Sequence, residues 1–300
     1  MDFLRLLAEY RILPLDMLFQ LITVFAQETL VVAIICWYYW GRDKRLAYTL
    51  GFSYFLSGLT VQGLKVTFRI PRPWVLDPDF HAVSSAVPAA TGYSFPSGHT
   101  QSGTALFSTL GFSAKKWVSK ILCFIMIALI GFSRLYLGVH TPKDVLVSMA
   151  VSLIISVLVW KYIRPVLDSS NYDLPVSLVM ILVSLALIIY NYSLYHAGVL
   201  PASQAADCFK ACGAGLGFAA GFFVERRYIN FTYPDTGRER LLQFLIGLLT
   251  TFAFQQGLKP ILGDSFFGSC LRYLVVVFWI IALYPSLSQS FRNKTRCEDH

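Results

Sequence analysis

Residues 117–144 read WVSKILCFIMIALIGFSRLYLGVHTPKD. From Trp117 to Leu137 the only charged side chains are Lys120 and Arg134, so about twenty consecutive positions are apolar enough to cross a bilayer as a helix. The run then breaks into a polar turn carrying His140 and Asp144. Within it, Thr141-Pro142 reads as the N-cap and first residue of a further helix, with Asp144 at N3, where its carboxylate can reach back to His140. A spanning segment must satisfy its own N–H and C=O groups, so the stretch predicts helices. A membrane barrel would instead show alternating strands of about ten residues.

Outward from this stretch the same pattern recurs. Apolar windows cover 18–40, 46–66, 100–112, 117–137, 144–163, 174–194, 208–224, 241–256 and 271–287. The expectation is an all-α, polytopic transmembrane bundle of about nine spans, the third of them short. Composition agrees: 56% of the 300 residues are hydrophobic and 14% charged, against about 25% charged in soluble domains. A soluble enzyme, a disordered protein and a disulfide-stapled secreted domain are excluded. No internal repeat or low-complexity linker is present. A soft division near 168–175 separates a catalytic core with the first five spans (1–167) from four further spans and a cytoplasmic tail (168–300).

The net charge of +8 would suggest nucleic acid in a soluble protein, but here the basic residues sit in short loops, and no nucleic-acid partner is expected. Alternate loops hold unequal shares. The richer set contains Arg42, Lys44 and Arg45, Lys115, Lys116 and Lys120, Lys161 and Arg164, Arg226, Arg227, Arg238 and Arg240, and Arg292, Lys294 and Arg296. The bias places that set in the cytoplasm, with the N-terminus outside and no cleavable leader. The six cysteines (Cys36, Cys123, Cys208, Cys212, Cys270 and Cys297) lack metal-ligand spacing and read as structural bulk.

Three polar clusters lie at the expected non-cytoplasmic helix ends: Lys65-x6-Arg72-Pro73, Pro96-Ser97-Gly98-His99 and Ser133-Arg134-x5-His140-x3-Asp144. Ionisable groups at membrane depth are costly and mark function. If the second helix runs to Pro71, Lys65 and Arg72 share a face two turns apart. Ser97 precedes free helix N–H groups, and Gly98 lets a ligand approach the backbone, which makes an anion site. Lys65, Arg72 and Arg134 add positive charge, and arginine can hold phosphate through two parallel hydrogen bonds. Two histidines, His99 and His140, permit one nucleophile and one general acid. No carboxylate cluster for Mg²⁺ and no His/Cys set for Zn²⁺ accompanies them, so neither a metal nor a cofactor is expected.

These clusters resemble the signature of the type 2 phosphatidic acid phosphatase superfamily, K-x6-R-P, P-S-G-H and S-R-x5-H-x3-D, matched at every specified position between Lys65 and Asp144. The resemblance implies the helical core shared with vanadium haloperoxidases, whose activity the hydrophobicity of this chain argues against. It also implies a mechanism. His140 attacks phosphorus and becomes phosphohistidine, Asp144 orients His140, and His99 protonates the leaving oxygen and then activates water. Lys65, Arg72, Ser97, Gly98 and Arg134 hold the phosphate oxygens, with no metal. The nine-span layout is similar to the glucose-6-phosphatase and sphingosine-phosphate phosphatase branches. The expected activity is hydrolysis of a phosphate monoester or pyrophosphate of a membrane lipid, with membrane lipids as surroundings and substrate. A soluble sugar phosphate is the alternative substrate, and anionic-lipid transport the non-enzymatic alternative. A phosphotransferase would use the same intermediate.

Other residues have a bland reading beside a functional one. Arg69 reads as a headgroup anchor or structural pair. Asp77, Asp79 and His81 belong to a loop, 74–94, that is either solvated or a lid. Glu28, an acid in the first span, is expected to find a structural partner in the bundle or to meet substrate or protons. Gly213, Gly215, Gly217 and Gly221 read as close helix packing.

Overall fold

The computed structural model describes residues 1–263 and 265–298, with side chains described to residue 294. The expected tail includes Asp299 and His300, which lie outside the described residues, as do the side chains of Arg296 and Cys297. The described chain is helical: α1 (Asp2–Glu9), α2 (Leu13–Val24), α3 (Glu28–Gly41), α4 (Lys44–Phe68), the short α5 (Pro73–Leu76), α6 (Gly98–Ser113), α7 (Trp117–Tyr136), α8 (Pro142–Val166), α9 (Ser170–His196), α10 (Ala202–Ile229), α11 (Gly237–Leu262) and α12 (Phe266–Lys294).

Nine spans is not the observed number. Among the described residues six helices, α7 to α12, are long and apolar enough to cross a membrane, and the bent pair α2–α3 makes a seventh when counted as one span. The first expected window is broken at 25–27, where the two halves meet at 41°. The second and third windows form helices that fall short for different reasons. α4 has the length, with 25 residues, but Ser, Thr, Gln, Gly and Lys dilute its apolar content. α6 has only 16 residues, about 24 Å of helix against a hydrocarbon core of about 30 Å. Both are wrapped by other helices: α4 by α3, α6, α8 and α10, and α6 by α4, α7 and α8. A helix sheathed in protein need not be apolar all round, because its polar groups find partners inside the bundle. Gln101 of α6, for instance, donates to the Tyr54 carbonyl and to Ser57 of α4, at 3.1 and 2.8 Å.

The second half packs through α10. Gly213 and Gly217 press the α10 backbone onto α12 so closely that an added Cβ would stand 2.0 Å from the Cys270 carbonyl oxygen and 2.3 Å from that of Leu274. Gly221 continues this row against Ile281, while Gly215 meets Ser184 of α9 and Leu59 of α4. The close packing expected of these glycines is therefore observed. An aromatic ladder joins α4 to α10, with Phe52 edge-on to Phe218 and Phe222, and Tyr48 edge-on to Phe222, at 4.9–5.1 Å between centroids. α4 is thus held from one side by the helices bearing the polar motifs and from the other by α10.

Candidate active site

The end of α4, the starts of α6 and α8 and the end of α7 converge at one end of the bundle. α4 stops at Phe68, earlier than the sequence reading assumed. Arg69 takes the left-handed conformation (φ 51°) as C-cap, and Ile70 and Arg72 each precede a proline, which disfavours helical backbone at both. Lys65 and Arg72 therefore do not share a helix face. Arg72 is the extended N-cap of α5 and returns to the site across a turn that the Ser94 N–H fastens to the Ile70 carbonyl at 2.8 Å.

His140 is 2% exposed, in the connection between α7 and α8. Arg72 Nη1 lies 2.9 Å from His140 Nε2 and 3.0 Å from the Val139 carbonyl oxygen. A guanidinium only donates, so Nε2 must accept and carries a lone pair; the ring proton then belongs on Nδ1. That nitrogen faces Asp144 Oδ2 at 3.5 Å. Asp144 Oδ2 is held in turn by the Thr141 N–H at 2.8 Å and the Ser94 hydroxyl at 2.5 Å. The first of these bonds belongs to the capping box that starts α8, with Thr141 as N-cap and Pro142 behind it, as the sequence predicts. The helix start and the orientation of His140 are one piece of geometry. Burial first, then the charges of Arg72, Arg134 and Lys65, push the His140 pKa well below its ordinary 6.5 and keep the ring neutral.

Around the ring stand three cations. Arg72 is fixed further by the Gly92 and Thr91 carbonyls, at 3.0 and 2.5 Å, and burial lowers its pKa to about 10. Lys65 donates to the Tyr93 carbonyl at 2.6 Å. Arg134, 2% exposed, gives Nη1 to the Thr23 hydroxyl at 3.0 Å, while its Nε and Nη2 are buried with no hydrogen-bond partner among the described residues. Unsatisfied buried donors are costly unless an acceptor joins them, which here points to an anion. Ser97 caps α6 and ties it to α8: its N–H donates to the Asp144 carbonyl at 3.1 Å, and the Ser148 hydroxyl donates to the Ser97 carbonyl at 2.6 Å. Gly98 opens α6 beside free space, since a Cβ there would meet nothing within 4 Å. His99 lies on the walls of two cavities, one shared with Gly98 and Gln101, the other with Arg134 and α2. Among the described residues no group of three or more His, Cys, Asp or Glu could hold a metal ion.

Several participants carry no sequence signal. Ser94, the carbonyls of 91–93 and 139, and Thr23 make the contacts just described. Backbone oxygens have no residue signature, and Ser94 lies outside the motif Pro96-Ser97-Gly98-His99 that follows it. Asp77 pairs with Arg5 of α1 at 2.7 Å, Asp79 and His81 are exposed, and none of the three lines a cavity with His99. Arg69 bonds its own helix at the Val66 carbonyl, at 2.9 Å.

A family model described as "PAP2 superfamily" matches residues 46–167, the segment that holds all of these groups except Arg5 and Thr23. The undecaprenyl-diphosphatase BcrC of Bacillus subtilis is 30% identical over 164 residues, 51% of this chain and 79% of that protein. The chain belongs to the PAP2 superfamily. It is an integral, multi-pass membrane phosphatase of that superfamily, and its lipid-phosphatase relationship extends past the core. A second model, described as "PAP2 superfamily phosphatase, transmembrane extension", matches residues 209–296. Human sphingosine-1-phosphate phosphatase 2 is 25% identical over 288 residues, 92% of this chain and 68% of that protein. The crystal structure of Aquifex aeolicus LpxE, 26% identical, superposes on 54% of this chain and 94% of its own with a TM-score of 0.48.

Proposed function

We propose that this PAP2 protein hydrolyses a lipid phosphate by way of a phosphohistidine at His140. One observation carries the reading: a neutral His140 whose Nε2 lone pair lies among Arg72, Lys65 and Arg134, the last with two unpaired buried donors. In the first step Nε2 bonds to phosphorus, the bond from phosphorus to the leaving oxygen breaks, and His99 gives that oxygen a proton. Burial and the charges of Arg134, Arg72 and Lys65 lower the His99 pKa to about 3, so the negative charge of the bound phosphate is what favours its protonated form. The His140 ring now carries positive charge beside Asp144. In the second step neutral His99 takes a proton from water, the water oxygen bonds to phosphorus and the P–N bond breaks. Lys65, Arg72, Arg134, Ser97 and the start of α6 at Gly98 hold the equatorial oxygens, so fixed charges do the work a metal ion does elsewhere, and the reaction needs none.

The lipid reading over the soluble sugar phosphate is supported by the cavity of about 600 Å³ that His99 and Arg134 share with α2. Its wall includes Met17, Leu18 and Leu21, which are exposed on the bundle surface. An acyl or prenyl tail can lie there while the phosphate reaches His140. The loop charge bias supports a site on the non-cytoplasmic face. Residues 1–167 would carry the chemistry, and 168–300 would form a second unit against α4. The test is phosphate release in detergent with excess EDTA, from phosphatidic acid, phosphatidylglycerol phosphate, undecaprenyl pyrophosphate, sphingosine phosphate and glucose 6-phosphate. Release from lipids that His140→Ala abolishes is expected. Glucose 6-phosphate as the preferred substrate, or loss of activity in EDTA, would overturn the reading.

A further inference from the structure

Every lysine and arginine in residues 168–300 belongs to the basic-rich loops except Lys210, Lys259 and Arg272. These three come from three different helices, α10, α11 and α12, yet they line one cavity of about 380 Å³. Each helix presents one face to it. Lys210 stands a turn after Ala206, whose small side chain leaves the space open; Lys259 stands a turn after Gln255 and Gln256; Arg272 stands a turn after Ser269. Ser269 and Arg272, 4% and 7% exposed, form the buried floor, while Gln256 and Lys259 are exposed at the rim. Arg272 lies about 9 Å along α12 from its start, a depth at which a charge in a span is costly and marks function. Apart from Ala206, every lining side chain is a hydrogen-bond donor, and no Asp or Glu lines the cavity among the described residues. Asp207 pairs with Lys210 at 2.9 Å, but it turns its other oxygen to the Thr91 hydroxyl at 3.0 Å and belongs to the wall of the active-site cavity. So does Glu28, which is exposed at the start of α3.

We propose that this cavity is a second anion site, separate from His140, and that it takes a phosphate group. Arg272 can hold two oxygens through parallel hydrogen bonds, with Lys210 and Lys259 as point charges and the Gln255, Gln256 and Ser269 donors for the remaining oxygens. A lipid phosphatase meets that group in two forms: the inorganic phosphate it releases and the headgroups of the lipids around it. Both can reach the cavity. Lys210 lines it and also lines the cavity of about 260 Å³ that contains Gly98 and His99, so phosphate leaving the reaction centre has this site next door. The exposed rim at Gln256 and Lys259 opens on the surface of the bundle, where headgroups lie.

The experiment compares wild type with Lys259→Gln/Arg272→Gln, as full-length protein in detergent, and its two probes separate the two sources. Inorganic [³²P]phosphate is titrated by equilibrium dialysis. Phosphatidylglycerol is titrated by native mass spectrometry, with zwitterionic phosphatidylcholine as control. Wild type is expected to bind one phosphate more per chain than the double variant, which assigns the site to the released product, or to hold phosphatidylglycerol selectively and at least about tenfold more tightly, the size of one charge-assisted contact, which assigns it to a headgroup. Lys259→Gln alone, a change at an exposed position that leaves the fold intact, should weaken the same binding, and Arg272→Lys should retain part of it. Equal phosphate stoichiometry together with equal phosphatidylglycerol affinity in wild type, Lys259→Gln and the double variant overturns the proposal. Phosphate release from lipid substrate is measured in parallel on the same preparations, whose His140 centre is untouched, so a missing second site and a failed phosphatase reading give different results.

Discussion

α4 carries a buried charged cluster at each end, about 30 Å apart along the helix. At its start Glu225, fully buried at the head of a π-helical turn of α10, accepts from Lys44 Nζ at 2.5 Å, from the Phe231 N–H at 2.8 Å and from the Tyr48 hydroxyl. Every oxygen is occupied, and one acid meets one base. At its other end Lys65 joins Arg72 and Arg134 around a neutral histidine, with Asp144 as the acid in their midst and two guanidinium nitrogens of Arg134 unpaired. The first cluster is closed and balanced; the second is open and in positive excess. Burial alone does not separate a structural charge from a functional one. Surplus charge and unanswered donors do, because only a ligand completes them.

The sharpest way to break this comparison is His140→Ala. It should reduce kcat by about 10⁴-fold or more, as expected for a lost nucleophile, with thermal stability little changed. Next, Arg134→Ala should lower kcat/KM by about 10²–10³-fold, the cost of one transition-state donor. Glu225→Gln should do the opposite kind of damage. Lys44 loses its partner, stability falls by about 3 kcal/mol in a denaturation assay, and activity per folded molecule persists. Gly217→Leu should also act on stability, by about 1–3 kcal/mol, because its Cβ meets the Leu274 carbonyl oxygen at 2.3 Å.

The smallest effect is on pH dependence. The folded-state value of His140 is depressed, so the ring stays neutral below pH 6.5 and the acid limb of kcat/KM that it controls lies well under that value. Arg72→Gln removes one of the charges that depress it and should move the limb upward in a pH–rate profile. By the same sign, the stability that neutral His140 contributes is present above pH 6.5 and declines as the pH falls toward the folded-state value.

That Lys65, Arg72, Ser97, Gly98, His99, Arg134, His140 and Asp144 belong together was legible beforehand, because they are side chains of distinctive chemistry at fixed spacing; their catalytic roles are proposed. Thr141-Pro142 and Asp144 even fixed their helix start. The span number was not legible: α4 and α6 pass for spans in an apolar window, yet what lets them hold Ser57, Gln101 and Thr109 is the sheath of neighbouring helices, a property of the tertiary fold. The route from Lys65 to Arg72 was misread because a left-handed Arg69 leaves no mark in composition. Thr23 escaped notice because the break between α2 and α3, far from the motifs in sequence, brings it beside Arg134 only in three dimensions.

The central claim is the covalent step at His140. The most direct measurement is to mix the enzyme with lipid carrying ³²P in its terminal phosphate, denature it within milliseconds in base, and map the labelled residue. The account predicts an alkali-stable, acid-labile label on His140 that is absent from His140→Ala. Turnover without any such label, or a label that persists in the variant, would contradict it.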